Sequence, residues 1–238
     1  MTYWVYKLTY DTGAAPHVRD SLLSLAICKP RIRKGAAVGD VIFGFSGRSR
    51  RTNRGERLIY VAEVTVKLTK PGEYYERPEF RDRWDCIYER VGESLVWRPG
   101  SLFHKDGSSA AKDIGPGPDH ARAIVLLSRE FRYLGADGTM DYVGRWPNLA
   151  TFVHERGIGE REVEPESDMG RMLSALKRDL WRTRPAGQIG LPTEPESGQP
   201  SWSSTGGGRK STTSSQSCSA HAKQPTRTDT VSAKRTCG

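Results

Sequence analysis

Lys29, Arg31, Arg33 and Lys34 are crowded between two short apolar runs, residues 22–27 (LLSLAI) and 41–45 (VIFGF). Cations fixed between buried segments sit where the fold presents them, which is how a protein builds an anion site. Pro30 fixes its own φ and biases Lys29 toward an extended backbone. In an extended segment alternate residues share a face, so Lys29, Arg31 and Arg33 are expected to point outward while Ile32 turns to the core. Arginine adds a planar donor fork that suits phosphate oxygens. At least one of these arginines is also expected to pair with Asp11, Asp40 or Glu63. A second basic group, Arg48, Arg50, Arg51 and Arg54, follows.

Other residues invite catalytic readings. Asp11 and Asp40 lie near the cations and could hold a metal, but each is close to a glycine, where an aspartate commonly caps a turn. Cys28 beside Lys29 could be a thiolate nucleophile or a small residue packed behind the loop. Asp11, Cys28 and Lys29 are therefore the catalytic candidates. His17, His104, His120 and His154 show neither metal-ligand spacing nor a companion Ser or Cys motif. No metal and no cofactor is expected. A base needs flat apolar faces on which to stack; most of the aromatic rings should be core, and Trp84, between Arg83 and Asp85, is the first candidate, followed by Tyr75 and Phe45.

The elements that would position these residues are short. Residues 4–10 alternate, with Trp4, Tyr6, Leu8 and Tyr10 on one face, as in a half-buried strand. Strands are expected at 41–45 and 58–66, forming a hairpin with the arginine loop at its tip, and at 87–88, 95–97 and 123–127. Residues 99–119 read as a long loop, of the kind usually functional or mobile. Helices are expected at 148–156 and 167–183, the second capped by Ser167 and carrying Met169, Met172, Leu173, Leu176 and Leu180 as a packing stripe.

Charge is uneven. Within residues 29–57 nine basic side chains face only Asp40 and Glu56, a balance of +7 against +9 for the whole chain. A basic region on a near-neutral body is the footprint of a polyanion partner. Residues 1–183 hold nearly all the aromatic and branched apolar content, so one domain is expected there; residues 184–238 are rich in Gly, Ser, Thr and Pro and are expected to be a disordered basic tail. The four cysteines form neither a disulfide framework nor a zinc knuckle. No apolar run has the ~18 residues of a membrane span, and no leader pattern opens the chain, so a cytoplasmic protein is expected.

Several segments recur in a family order: DTGAAP at 11–16, LAxCKPxIRK at 25–34, Gly39-Asp40, YVAEV at 60–64, Glu73-Tyr74-Tyr75, Pro78-x-Phe80, and VLLSxxFxYLG at 125–135. Together they resemble the nucleotide modification associated domain 2 family over residues 3 to 150. Where that family often has Gly-Asp-Asn-Ile-Tyr, this chain has Trp84-Asp85-Cys86-Ile87-Tyr88. The resemblance implies a mainly bacterial and phage α+β domain linked with systems that make or handle modified bases, and it carries no catalytic residue set. A looser likeness to PUA-like domains rests on Gly39-Asp40, the strand ending in Phe43 and Phe45, and the V-A-E-V strand.

The expected fold is therefore α+β, with a mixed, strongly curved or barrel-like sheet, flanking helices and a C-terminal tail. The expected function is a nucleic-acid-binding module associated with DNA base modification, contacting phosphate and a modified base through the basic loop. Its partner would be DNA or a nucleotide, with no membrane. The alternatives are an enzyme acting on modified nucleotides or bases, and a protein-interaction domain of a modification or defence system.

Overall fold

The computed structural model describes residues 1–47, 56–104, 107–155, 157 and 159–193. The chain is α+β, and among the described residues its sheets are open and none closes into a barrel. The main sheet holds six strands: β1 (Tyr3–Leu8), β4 (Val41–Ser46), β5 (Leu58–Glu63), β10 (Glu130–Tyr133), β11 (Glu160–Val163) and β12 (Gly187–Gln188), in the order β11-β1-β4-β5-β10-β12. β1 runs parallel to β4 and β10 parallel to β12; the other pairs are antiparallel. A four-stranded sheet holds β2 (His17–Arg19), β3 (Leu22–Leu25), β6 (Val66–Leu68) and β9 (Val125–Ser128), ordered β2-β3-β9-β6, and β7 (Tyr88–Val91) with β8 (Ser94–Trp97) makes a hairpin.

The expected hairpin of residues 41–45 with 58–66 forms as β4 and β5, but the second strand breaks at Glu63 and its continuation, β6, joins the other sheet. Alternation explains how one strand serves two cores. Tyr3, Val5, Phe43, Phe45 and Val61 face the helices α4 (Asp141–Arg145), α5 (Pro147–Glu155) and α6 (Asp168–Thr183), while Trp4, Tyr6, Leu8, Ile42 and Tyr60 face the four-stranded sheet. β1 is buried along its whole length because both faces are covered. α6 begins where Ser167 Oγ accepts from Gly170 N at 3.0 Å, and its Leu173, Leu176 and Leu180 are buried.

A third core lies behind the four-stranded sheet, under α2 (Glu73–Glu76) and the β7–β8 hairpin. Its polar centre is Asp85, which accepts from Ser24 Oγ at 2.5 Å and Tyr74 OH at 2.7 Å, while Arg83 donates to the carbonyls of His17, Arg19 and Leu22. Residues 184–193, which composition groups with the tail, are part of the fold. β12 pairs with β10, and Thr193 N donates to the Asp11 carbonyl at 2.9 Å, because backbone groups brought against a sheet edge gain partners whatever their side chains. Residues 194–238 lie outside the described residues. Among the described residues no helix is long and apolar enough to cross a membrane.

Gly44 lies between Tyr6 and Tyr60 in register, and a Cβ there would meet Tyr60 Cε1 at 2.2 Å. Gly44→Ala is expected to cost about 1–3 kcal/mol through overpacking, read as a lowered denaturation midpoint. An unchanged midpoint would mean that Tyr60 has room to move.

Candidate active site

β3 delivers the chain to a tight corner. Ala26 and Ile27 are buried, and then two successive non-glycine residues, Cys28 (φ 57°) and Lys29 (φ 43°), adopt the left-handed region before helix α1 (Pro30–Gly35) begins. Each left-handed residue costs about 1–2 kcal/mol, so the corner must be held from outside, and such outliers cluster at functional sites. It is held by Arg33, whose Nε donates to the Cys28 carbonyl at 2.6 Å, and by Asp113, whose Oδ1 accepts the Cys28 amide at 2.7 Å.

The basic loop is thus not the extended clamp that Pro30 suggested. Proline is equally at home in the first turn of a helix, where its missing N–H costs nothing, and that preference wins here. In the helix Ile32 and Arg33 turn inward while Arg31 and Lys34 face solvent. Arg33 is fully buried: beyond Cys28 it donates to the carbonyls of Asp113, Arg122 and Ile124. It pairs with Asp113 at 3.6 Å and with none of Asp11, Asp40 or Glu63. Four of its five donors are spent on backbone carbonyls and the guanidinium is sealed from solvent, so it cannot serve phosphate.

Asp113 closes α3 (Gly107–Asp113), and it brings to Cys28 a residue that no local pattern announced. His104 Nδ1 bonds Asp113 Oδ2, and His104 Nε2 stands 3.4 Å from Cys28 Sγ. The result is a thiol, an imidazole and a carboxylate in series, the arrangement of an activated nucleophile with its base and the group that orients the base. Tyr88 OH donates to Asp113 Oδ2 at 2.9 Å, and the Asp113 side chain is 1 % exposed against 23 % for His104. The carboxylate is sealed while solvent reaches the imidazole. The bond to Asp113, and then that to Cys28, pushes the His104 pKa up to about 10 against the opposing effect of burial. Its imidazolium is therefore the resting form at neutral pH.

Lys29 extends the site toward the main sheet. Its Nζ lies 4.6 Å over the Tyr6 ring and donates to the Lys7 carbonyl at 3.4 Å, and burial lowers its pKa. Asp40 does cap a turn, accepting from Ala37 N at 2.8 Å and from Thr2 N at 2.7 Å. Asp11 does not act only locally: its Oδ2 accepts from Tyr133 OH at 2.7 Å.

The remaining candidates scatter. Phe45 is fully buried against Tyr142, and Tyr75 is 5 % exposed with its hydroxyl on the Ala26 carbonyl, so both are core rings with no free face for a base. Trp84 is half-buried and stacks on His17, ring centroids 5.8 Å apart. Arg48, Arg50, Arg51 and Arg54 lie outside the described residues. Among the described residues no cluster of His, Cys, Asp or Glu could hold a metal ion. A family model described as nucleotide modification associated domain 2 matches residues 1–193. No curated protein and no solved structure matches the chain.

Proposed function

The chain belongs to the nucleotide modification associated domain 2 family, and from that premise we propose that it is an enzyme of nucleotide modification with Cys28 as its nucleophile. The Cys28–His104–Asp113 series carries this reading. The reaction starts from the thiolate, the form in which cysteine attacks, with the protonated His104 beside it as the proton donor. Cys28 Sγ bonds to an unsaturated carbon bearing a leaving group; His104 Nε2 gives its proton to that group as the old bond breaks. Water, losing a proton to His104, then cleaves the S–C bond and returns the thiolate beside the imidazolium. Asp113 holds the imidazole in orientation throughout and does not itself take the proton.

Alkylation of the full chain with iodoacetamide at pH 7.5, followed site by site by mass spectrometry, tests the nucleophile. Cys28 should react at least tenfold faster than N-acetylcysteine, and His104→Gln should remove that advantage. A Cys28 that reacts no faster in either protein would sink the reading.

We also propose nucleic-acid binding in a narrower form. Arg31 and Lys34 project from the helix that begins two residues after Cys28, and among the described residues neither is held by an ion pair. They suit the phosphates of a nucleotide or DNA substrate delivered to the thiol. Each phosphate contact contributes a slope of about −0.9 in log affinity against log salt, so Arg31→Ala with Lys34→Ala should flatten the slope for DNA by up to about 2. An unaltered slope removes α1 from the interface.

A further inference from the structure

The face of the main sheet opposite to α1 carries a cleft. α1 packs through Ile32 with Trp4, Tyr6 and Tyr60, whereas α4 and α6 cover Phe43, Phe45 and Val61 on the other side. α4 has five residues, about 7.5 Å of helix, against sixteen in α6. Between it and the C-terminal half of α6 about 250 Å³ stays open to solvent.

The floor of the cleft is apolar and its rim is charged. Tyr142, Leu176 and Leu180 are buried beneath it, and Trp146 makes a half-buried wall. At one end Asp179 accepts from two guanidiniums, Arg145 at 2.5 Å and Arg182 at 2.8 Å; at the other Asp141 accepts from Arg184 at 3.0 Å. Three cations thus meet two carboxylates. A helix C-terminus carries about half a negative charge, which draws cations to the last turn of α6 without cancelling the excess.

Size and chemistry together define an occupant. A closed apolar cavity of about 150 Å³ holds a benzene ring, so this larger, open one suits two fused rings. Trp146 offers such a ring an aromatic surface, and it holds the Arg145 guanidinium at the mouth, 5.0 Å from its own ring centroid. Among the described residues Arg145 and Arg182 each give a single nitrogen to Asp179, and with side chains 52 % and 73 % exposed the rest of each fork faces water. Exposed ion pairs contribute little, so an incoming anion can share these forks, and two forks meeting at one point can serve the several oxygens of a phosphate. The buried arginines have no such opening: Arg33 and Arg83 are spent on backbone carbonyls inside the core.

We propose that the α4–α6 cleft is a ligand site apart from Cys28 and takes a purine nucleotide, its fused ring against Trp146 over the apolar floor and its phosphate on Arg145 and Arg182. Cys28 leads into α1, so the main sheet stands between the thiol and this cleft. The site is therefore independent of the enzymatic reading. A nucleotide free in solution and one at the end of a nucleic-acid strand share the chemistry it recognises.

The chain has six tryptophans, and their indole N–H signals in a proton–nitrogen correlation spectrum of the full chain read the cleft directly, with Trp146→Phe showing which signal belongs to Trp146. Guanosine monophosphate should move that signal saturably at millimolar concentration or below. Guanosine, which lacks the anion, and ribose phosphate, which lacks the ring, should each bind at least tenfold more weakly. Arg145→Gln with Arg182→Gln should weaken the nucleotide at least tenfold, whereas Cys28→Ser should leave it unaltered. Both arginines are exposed, so the fold should persist, and the other indole signals verify it. An oligonucleotide ending in the same guanosine phosphate separates the two sources: binding at least tenfold tighter than the mononucleotide assigns the cleft to a strand end, and equal or weaker binding assigns it to the free nucleotide. A Trp146 signal that stays in place at millimolar nucleotide, that moves equally in the arginine variant, or that moves only with protein concentration, as a second copy in the cleft would cause, overturns the proposal.

Discussion

Arg33→Met is expected to lower the free energy of unfolding by about 3–5 kcal/mol, the usual cost of removing one partner from a buried charged pair. Arg33 is wholly buried, and its loss would strand the Asp113 carboxylate and the carbonyls of Cys28, Arg122 and Ile124, all but Cys28 drawn from segments distant in the chain. Methionine restores the volume and none of the donors. Lysine should fare little better, because its ammonium offers three donors from one point where the planar fork reaches several carbonyls at once. Urea denaturation of the full chain measures this. A loss below about 1 kcal/mol would place Arg33 among surface pairs, which contradicts its burial.

The same residue shows where the sequence was legible and where it was not. Hydrophobic alternation located β1 and β5, a short apolar run located β4, and the Ser167 cap with its leucine stripe located α6, since these signals are local. Arg33 is read from local pattern as a surface cation, because arginine is seldom buried unless paired. Its partner, Asp113, is 80 residues away, and nothing in the spacing says so. Pro30 is read from local pattern as a mark of extended backbone, which already turns Ile32 inward; the structure makes it the first residue of a helix, and what differs is that Arg33 turns inward beside Ile32.

Cys28 was visible as one of two alternatives, and the structure adds His104 and Asp113, 76 and 85 positions on. Both fall in the stretch 99–119 whose Gly, Pro and Ser content marks a long loop, although its middle forms α3. A loop of that length in a compact domain was the only cue available. Asp11 was legible as a turn residue beside Gly13, which accounts for half of its environment; the phenol of Tyr133, 122 residues later, accounts for the other half.

Asp113→Asn separates the charge of the carboxylate from its shape, and its effect should appear in the pH dependence of both stability and reactivity. In the folded protein the His104 pKa is raised from 6.5 to about 10. A group whose folded pKa is raised contributes stability in full below its unfolded pKa and loses it as pH climbs through the folded value. The protein should therefore become easier to denature between pH 6.5 and about 10. With asparagine the leading cause of the shift is gone, His104 returns toward its ordinary value, and that slope should flatten. Reactivity should follow the same proton. At pH 8 the protein still holds His104 protonated, whereas a histidine near 6.5 is about thirtyfold depleted in the imidazolium form, so Cys28 alkylation should slow by about that factor. Asparagine still presents an oxygen to the Cys28 amide, so the corner should persist, and circular dichroism can verify it. Parallel urea midpoints for the two proteins from pH 6 to pH 10, with equal alkylation rates, would show that the carboxylate does not hold the imidazole's proton. The Cys28–His104 contact would then be packing and not catalysis.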